Sequence, residues 1–566
     1  MLSSCRPSSS LRETVRKVFL TFLYNMYARA WKNKKNVPHY AERDQISKKG
    51  RTNIMGHVME HNLLFPNFQL FAGFPSSDLA DVIRESLAFL DRHPALLAMV
   101  DADLDAYGLQ KKAQRLQRQR ELLASHPSLG IGETPTTDTV DMTLAAGRPR
   151  TPALVVFLFL ILRGRYGSAS DQDVCERFRE SKSMEYLLAA RGYRMPSRQT
   201  LVDNLNAVSN ATREAILDAQ VEDCRTEGLD DFNEIAIDST AVCACSAWPN
   251  DASLGARSLQ RACRELAVLR DMGLVDYRDG WKLRWREQVV SLARGINMLR
   301  GKKANAKRRQ LYRKLVNTME KLMVSIKEIY KLLLSEDTSR LHVTVRTVRE
   351  RHLLNGVRAL INGWKASNQI QARVLEHQTL PMDEKLLSLA DSDATLIIKG
   401  DRQTVLGYRP GLSRSREGFI VDLALEKGNT SDARVLIKTV QAVASRTGAV
   451  PQKVTTDDGY ASTKNMAELE RLGVGLVTFS GAKGKKITPQ KVWDSEEAIE
   501  QRARRSAVES LMAVMKGDYF FARMRRCGVE NVRAEMLEKV LAYNFDRILL
   551  VRERKIQEQR SAPMIA

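Results

Sequence analysis

One carboxylate set in an apolar run constrains this chain more than any other feature. In Asn233-Glu-Ile-Ala-Ile-Asp-Ser-Thr-Ala-Val242, strand-compatible apolar residues stand on both sides of Asp238, and a run this short and β-compatible suits a buried strand better than a helix. Burying an unpaired ionised group is so unfavourable that proteins resolve it by protonation, a cationic partner or a bound metal. Asp238 is therefore a candidate metal ligand.

Strand patterns return near Leu396. Thr404-Val-Leu-Gly-Tyr-Arg409 and Gly418-Phe-Ile-Val-Asp-Leu-Ala-Leu425 read as an antiparallel hairpin joined by the turn-rich Pro410-Gly-Leu-Ser-Arg-Ser415. Gly428-Asn-Thr-Ser-Asp432 ends the strand and opens a helix to about Arg446, with Asp432 as its expected cap. Val454-Thr-Thr456 is a further short strand with Asp457-Asp-Gly-Tyr460 at its end; a helix through Arg471, a strand from Gly475 to Phe479 and a helix through Ser506-Ala-Val-Glu-Ser-Leu511 follow. This order is that of an α/β ribonuclease-H-like catalytic core, with Asp238 on the first strand, Asp457 at the end of the fourth and Glu509 on the final helix. Two metal ions about 3.5 to 4 Å apart need hard oxygen ligands converging from different elements. Aspartate and glutamate meet that need.

Asp238 and Asp457 are 219 positions apart, Asp457 and Glu509 only 52. An uninterrupted core needs far fewer residues between its first and fourth strands, so a helical insertion over 246–395 is expected after the first strand. Within it Leu315, Met319, Leu322, Ile326 and Ile329 recur at three and four, a core-facing stripe. The run from Arg300 to Lys314 carries Arg300, Lys302, Lys303, Lys307, Arg308, Arg309, Arg313 and Lys314 without an acid. So unbalanced a run, with Tyr312 inside it and Trp281 and Trp285 upstream, is a candidate phosphate contact.

The remaining parts expected are a basic, all-α N-terminal region (1–150), a helical domain (151–230), the first core strand (231–245), the rest of the core (396–550) and a tail (551–566). Ser168-Ala-Ser-Asp-Gln-Asp173 and Pro196-Ser-Arg-Gln-Thr200 read as helix starts in the second of these. Thr134 to Pro152 is a plausible linker. Trp31-Lys-Asn-Lys-Lys35 and Lys48-Lys-Gly-Arg51 are local charge clusters.

The 566 residues hold 89 Lys and Arg against 67 Asp and Glu, a net charge of +22. That excess favours a polyanionic partner, nucleic acid first, because each neutralised phosphate releases condensed counterions. The most apolar run, Ala153 to Leu162, is ten residues, where a spanning helix needs about 20, and no secretory signal is evident; a cytoplasmic, DNA-associated protein without a membrane partner is expected. Seven scattered cysteines suit reduced thiols. His57-Val-Met-Glu-His61 fits the inverted zinc-protease pattern, yet a third ligand is not evident and two histidines on a helix face is the simpler reading. Gly481-Ala-Lys-Gly-Lys-Lys486 lacks the spacing and following Ser or Thr of a P-loop, which leaves a basic loop near DNA and implies no ATP.

Specific motifs then resemble one family. Arg505-x3-Glu509-x6-Lys516 is similar to the R-E-K part of the Y-x2-R-x3-E-x6-K signature of bacterial insertion-sequence DDE transposases, and Asp457-x-Gly-Tyr460 to their second-aspartate motif. The tyrosine of the signature falls at 502, where this chain has Arg502. Pro381-Met-Asp-Glu-Lys385, Ile398-Lys-Gly400, Gly407-Tyr-Arg409, Gly418-Phe-Ile420, Gly428-Asn-x-Ser-Asp432 and the stretch Val532 to Asn544 resemble the ISNCY-type group. The helical domain resembles the one that precedes the catalytic core in many such enzymes.

The resemblance implies Asp238, Asp457 and Glu509 as catalytic ligands of Mg2+ or Mn2+, two ions in all, with Asp457 rather than Asp458 in the second place. It implies cleavage at transposon ends, strand transfer into target DNA, end recognition by the N-terminal regions, and at least a dimer in the paired-end complex. Arg505 and Lys516, near whole helical turns from Glu509, the basic run and Arg523, Arg525 and Arg526 are the expected DNA contacts. The competing expectations are a catalytically inactive DNA-binding derivative, a nuclease without strand transfer and, remotely, the zinc protease.

Overall fold

The computed structural model describes residues 78–125, 150–167, 170–275, 285–336, 341–382, 384–398 and 404–561. The basic clusters at 31–35 and 48–51, His57, His61, Trp281 and most of the proposed linker lie outside them. The chain divides into two compact units.

The larger unit begins with helices. α1 (Asp78–Arg92) precedes α2 (Ala153–Arg165), whose apolar run is buried on every side, the signature of a helix enclosed by protein. α3 (Asp171–Glu180) starts in a capping box between Ser170 and Asp173, and α4 (Arg198–Ala207) is capped by Ser197 through the Thr200 amide. Both starts fall where the sequence places them, because a serine oxygen takes an amide that the first turn leaves without a partner. α5 (Asn210–Thr226) leads into β1 (Glu234–Ser239) and the two-residue β2 (Val242–Cys243).

The smaller unit follows in sequence: α6 (Asp251–Asp271), α7 (Trp285–Met298), α8 (Asn305–Ser335) and α9 (Val343–Ile370). The stripe Leu315, Met319, Leu322, Ile326 and Ile329 is buried as its spacing predicts, in one core with Leu259, Leu266 and Val348. Among the described residues no helix is long and apolar enough to cross a membrane.

The chain then returns to the larger unit with β3 (Thr395–Ile397), β4 (Val405–Tyr408), β5 (Gly411–Ser415), β6 (Ile420–Ala424), α10 (Asp432–Thr447), β7 (Lys453–Thr456), α11 (Thr463–Leu472) and β8 (Leu476–Phe479). α12 (Ala482–Ile487), α13 (Glu496–Arg504), α14 (Ser506–Gly517) and the 33-residue α15 (Val529–Ser561) complete it. Its main sheet is mixed, in the order β6-β5-β1-β7-β8. β1 lies at the centre, antiparallel to β5 and parallel to β7. β2, β4 and β3 form a separate antiparallel sheet.

One expectation is corrected here. Pro410 to Ser415 is no turn: Gly411–Ser415 is an interior strand, and β4 belongs to the smaller sheet. Serines are weak strand formers on their own, but β5 is hydrogen-bonded to β1 on one side and β6 on the other, with Leu412, Ser413 and Ser415 buried. The reversal falls three residues later, at Arg416-Glu417-Gly418, where Gly418 takes φ +98°, a conformation that glycine adopts without steric cost.

One face of the main sheet packs Ile235, Ile237, Val454 and Val477 against Leu436, Val440 and Val443 of α10. α14 packs against β1. α15 runs alongside α2 so closely that a Cβ on Gly164 would lie 1.9 Å from the Glu538 carbonyl oxygen. On α15 lies a largely buried ionic cluster: Glu538 pairs with Arg213 of α5 at 2.6 Å and with Arg526 at 2.9 Å, and Lys539 with Glu535 at 3.1 Å. Arg526, expected on DNA, is thus part of the fold.

Candidate active site

β1 alternates its side chains across the sheet, so the face opposite Ile235 and Ile237 receives Ala236 and Asp238. Asp238 is buried at 6% exposure, and its Oδ1 accepts the Ser239 amide at 2.7 Å. The parallel register pairs Ile237 with Thr456. The next residues along the two strands are Asp238, still paired with Leu412 of β5, and Asp457, the first residue after β7, at the same end of neighbouring strands about 4.8 Å apart. Two carboxylates 219 positions apart in sequence are thereby brought side by side.

Gly459 explains the spacing of the second motif. Its amide donates to Asp457 Oδ1 at 2.9 Å, and a Cβ there would lie 3.0 Å from Asp457 Oδ1 and 2.9 Å from Asp432 Oδ2. Tyr460 is buried beneath this corner with its hydroxyl bonded to Ser239. Burial, then the negative charges of Asp432, Asp238 and Asp457, push its pKa far up, so it stays a neutral hydroxyl.

Asp458 is used differently. Its two oxygens accept the amides of Lys483 and Gly484, each at 2.9 Å, at the start of α12. That segment, expected as a basic loop, is a short helix because Asp458 satisfies its first amides. Asp432 also departs from expectation: Ser431 holds the cap position of α10, while Asp432 is its first residue, buried and paired with Arg409. Arg409 donates through Nε to Ser239 Oγ at 3.1 Å. The sequence named Gly407-Tyr-Arg409 as a motif without a role; its arginine is the cation that answers Asp432 beside Asp238 and Tyr460.

Glu509 is on α14, which presents Val508, Leu511, Met512 and Met515 to the interior. The Glu509 side chain is 56% exposed and accepts from Arg505 Nη2 at 2.8 Å, one turn back. Among the described residues no three acidic, histidine or cysteine side chains gather closely enough to hold a metal ion. The structure therefore sets the two aspartates together and leaves Glu509 paired with Arg505. Lys516, two turns beyond Glu509, is half-buried. Arg502, where the signature has tyrosine, stacks its guanidinium 4.0 Å from the centre of the Trp493 ring.

The basic run divides into two kinds of residue. Arg308 donates to the Leu299 carbonyl and Arg309 to the Leu375 carbonyl, both at 2.6 Å, so these two tie the helical unit together. Lys302, Lys303, Lys307, Arg313 and Lys314 are exposed. Of the cysteines, Cys175, Cys224 and Cys263 are buried free thiols, the first pushed up to about 11 and the last to about 12 by burial. Thiols held protonated in this way do not serve as metal ligands or nucleophiles.

No curated protein and no solved structure matches the chain. Residues 408–545 match the family model of the transposase DDE domain, a segment that contains Asp457 and Glu509 and supports a DDE transposase family for this chain.

Proposed function

We propose that this protein is an insertion-sequence transposase of the ISNCY type, encoded in a bacterium and acting in the cytoplasm on double-stranded DNA. It binds the inverted repeats of its element, cuts there to free a 3′-OH and joins that end to target DNA. The observation that carries this reading is the placement of Asp238 and Asp457 side by side at the end of two parallel strands, with the second inside the segment that matches the transposase DDE domain. The sheet order, with its central first strand, agrees with a ribonuclease-H-like core.

The donor set fits hard divalent cations. Asp238 and Asp457 offer carboxylate oxygens from neighbouring strand ends, the chemistry that Mg2+ and Mn2+ prefer and Zn2+ does not require. Asp238, Asp457 and Glu509 would hold two such ions, with Glu509 turning away from Arg505 to do so. Bound there, such ions would supply an activated water and stabilise the leaving 3′ oxygen. The chain's own residues hold the frame: Arg409 fixes Ser239 and Asp432, Tyr460 fills the corner below, and Gly459 lets the backbone pass close to Asp457. Once parted from Glu509, Arg505 is a guanidinium at the site's edge, suited to a bidentate phosphate contact. Lys516 and the exposed Lys302, Lys303, Lys307 and Arg313 would add backbone contacts, and the helices of 151–230 would read the ends. Pairing two ends requires at least a dimer. No step needs ATP.

The Arg505–Glu509 pair favours one competing reading, a derivative that binds DNA without cutting it. The deciding experiment uses labelled duplexes bearing the inverted repeats that flank the gene, incubated with the protein in Mg2+, Mn2+ or EDTA beside Glu509→Gln. Metal-dependent nicking at the repeat end that disappears in Glu509→Gln supports the transposase. Tight binding with no cleavage in either metal would replace it with the inactive derivative.

A further inference from the structure

Two residues before Asp238, on the same face of β1, Ala236 lines a cavity of about 320 Å³ in the larger unit. Its walls come from the start of β1, the β5–β6 hairpin, β7, α13, α14 and α15. They carry Arg414, Arg416, Arg504, Arg547 and Arg554 against Glu234 and Glu417. The two glutamates are already matched. Glu234 pairs with Lys453 at 3.0 Å and with Arg504, and Glu417 pairs with Arg554. Burial works against ionised Glu234, yet hydrogen bonds from Gln501 and Lys453 and the charge of Arg504 hold its carboxyl below the usual range.

Arg414 and Arg547 are different. Arg414 Nη1 donates to the Ser415 carbonyl at 3.0 Å, and Arg547 Nε to the Glu417 carbonyl at 2.6 Å. Neither has a carboxylate within ion-pair distance among the described residues. Burial lowers the Arg414 guanidinium pKa and neighbouring Arg547 acts in the same direction, against Tyr543. Two half-buried guanidiniums that line one cavity with no carboxylate beside either form a place for an anion with several acceptor oxygens.

We infer that this cavity seats a backbone phosphate of the DNA strand held at Asp238 and Asp457, between Arg414 and Arg547. This rests on the proposed function. The spacing sets the phosphate's place. The cavity spans β1 from Glu234 to Ala236, about 7 to 13 Å from Asp238 at roughly 3.3 Å per residue. Successive phosphates of a strand rise about 3.4 Å along the axis and also wind around it, which sets them roughly 6–7 Å apart, so the contact falls one to two nucleotides from the scissile linkage. The contact positions the strand, carries no sequence information and holds whatever base lies there.

The test uses the full-length protein and a fluorescent duplex bearing the gene-flanking repeat, with binding measured in EDTA so that it does not depend on cleavage. Wild type is first scanned with single neutral methylphosphonate linkages, which needs no variant to fold. A loss of about tenfold in affinity at one linkage one to two nucleotides from the cut is expected. Arg414→Gln/Arg547→Gln is expected to bind the unmodified duplex about tenfold more weakly, to show no further loss with that linkage, and to have its log K against log salt slope reduced by about 1. Arg414→Lys/Arg547→Lys, which retains both charges, should keep the slope. No interference anywhere in that window, with wild type still binding and cutting, would overturn the inference and leave the transposase reading intact. Wild type that neither binds nor cuts the duplex would remove both. Stabilisation of wild type but not of the Gln variant by millimolar inorganic phosphate, with unchanged DNA affinity, would overturn it in favour of a small-anion site.

Discussion

Adjacent aspartates with separate duties give a sharp prediction. Asp458→Ala should weaken the fold and spare cleavage, whereas Asp457→Asn should do the reverse. Asp458 accepts two backbone amides at 2.9 Å each, and Gly481 packs so tightly on it that a Cβ there would lie 2.1 Å from Oδ2. Removing such a cap costs about 0.5–2 kcal/mol, and bonds to a charged acceptor lie at the upper end. A loss of about 2 kcal/mol is expected, which for a unit of this size lowers Tm by roughly 3 °C. Asp457 accepts the Gly459 amide at 2.9 Å, and the Asn carbonyl oxygen can accept it as well, so Asp457→Asn should cost under about 1 kcal/mol. It removes a charged metal donor, and cleavage should fall by at least about 100-fold, equivalent to ~2.7 kcal/mol in the barrier. Differential scanning calorimetry and nicking of the repeat duplex at 20 °C, well below either transition, separate the two effects. Full cleavage by Asp457→Asn, or none by a folded Asp458→Ala, would refute the assignment.

Three further outcomes follow from the packing. Gly164→Ala places a methyl 1.9 Å from the Glu538 carbonyl oxygen and should destabilise by at least about 2 kcal/mol, seen as a lower urea midpoint. Arg213→Met removes one of two guanidiniums from Glu538, itself 1% exposed, and should cost about 3–5 kcal/mol; adding Glu538→Gln should recover part of it in a double-mutant cycle. His352 is buried against Glu265 in the smaller unit, and burial lowers its pKa from 6.5 despite the bond to that carboxylate. The unfolded chain therefore takes the proton first. The His352 contribution is present above about pH 6.5 and is lost as pH falls through the lower folded value. Urea unfolding at pH 7.5 and pH 5 should show this, and His352→Gln should flatten that part of the profile.

Local signals were legible in the sequence. Ser170 and Ser197 start their helices because a cap needs only neighbours three residues away, and the stripe from Leu315 to Ile329 declares its buried face by period alone. The short strand with Asp238, the strand ending before Asp457 and the helix with Glu509 are equally local. β5 was not legible: its Gly, Ser and Arg favour a turn until β1 and β6 close on both sides. The part of Asp432 was hidden too, since its position next to Ser431 suggests a cap while its partner, Arg409, lies on another element.

By itself, then, the sequence determined which residues carry charge worth answering, the periods that make strands and helices, and the order of the three acids along the chain. Only the tertiary structure decided that Asp238 and Asp457 share a sheet end, that Asp458 caps α12 while Glu509 turns to Arg505, and that Arg414 and Arg547, 133 positions apart, face one cavity. The reason is physical: hydrogen-bond periodicity and capping act within a few residues, whereas the register of parallel strands and the neutralisation of buried charge are settled between segments the chain does not place side by side.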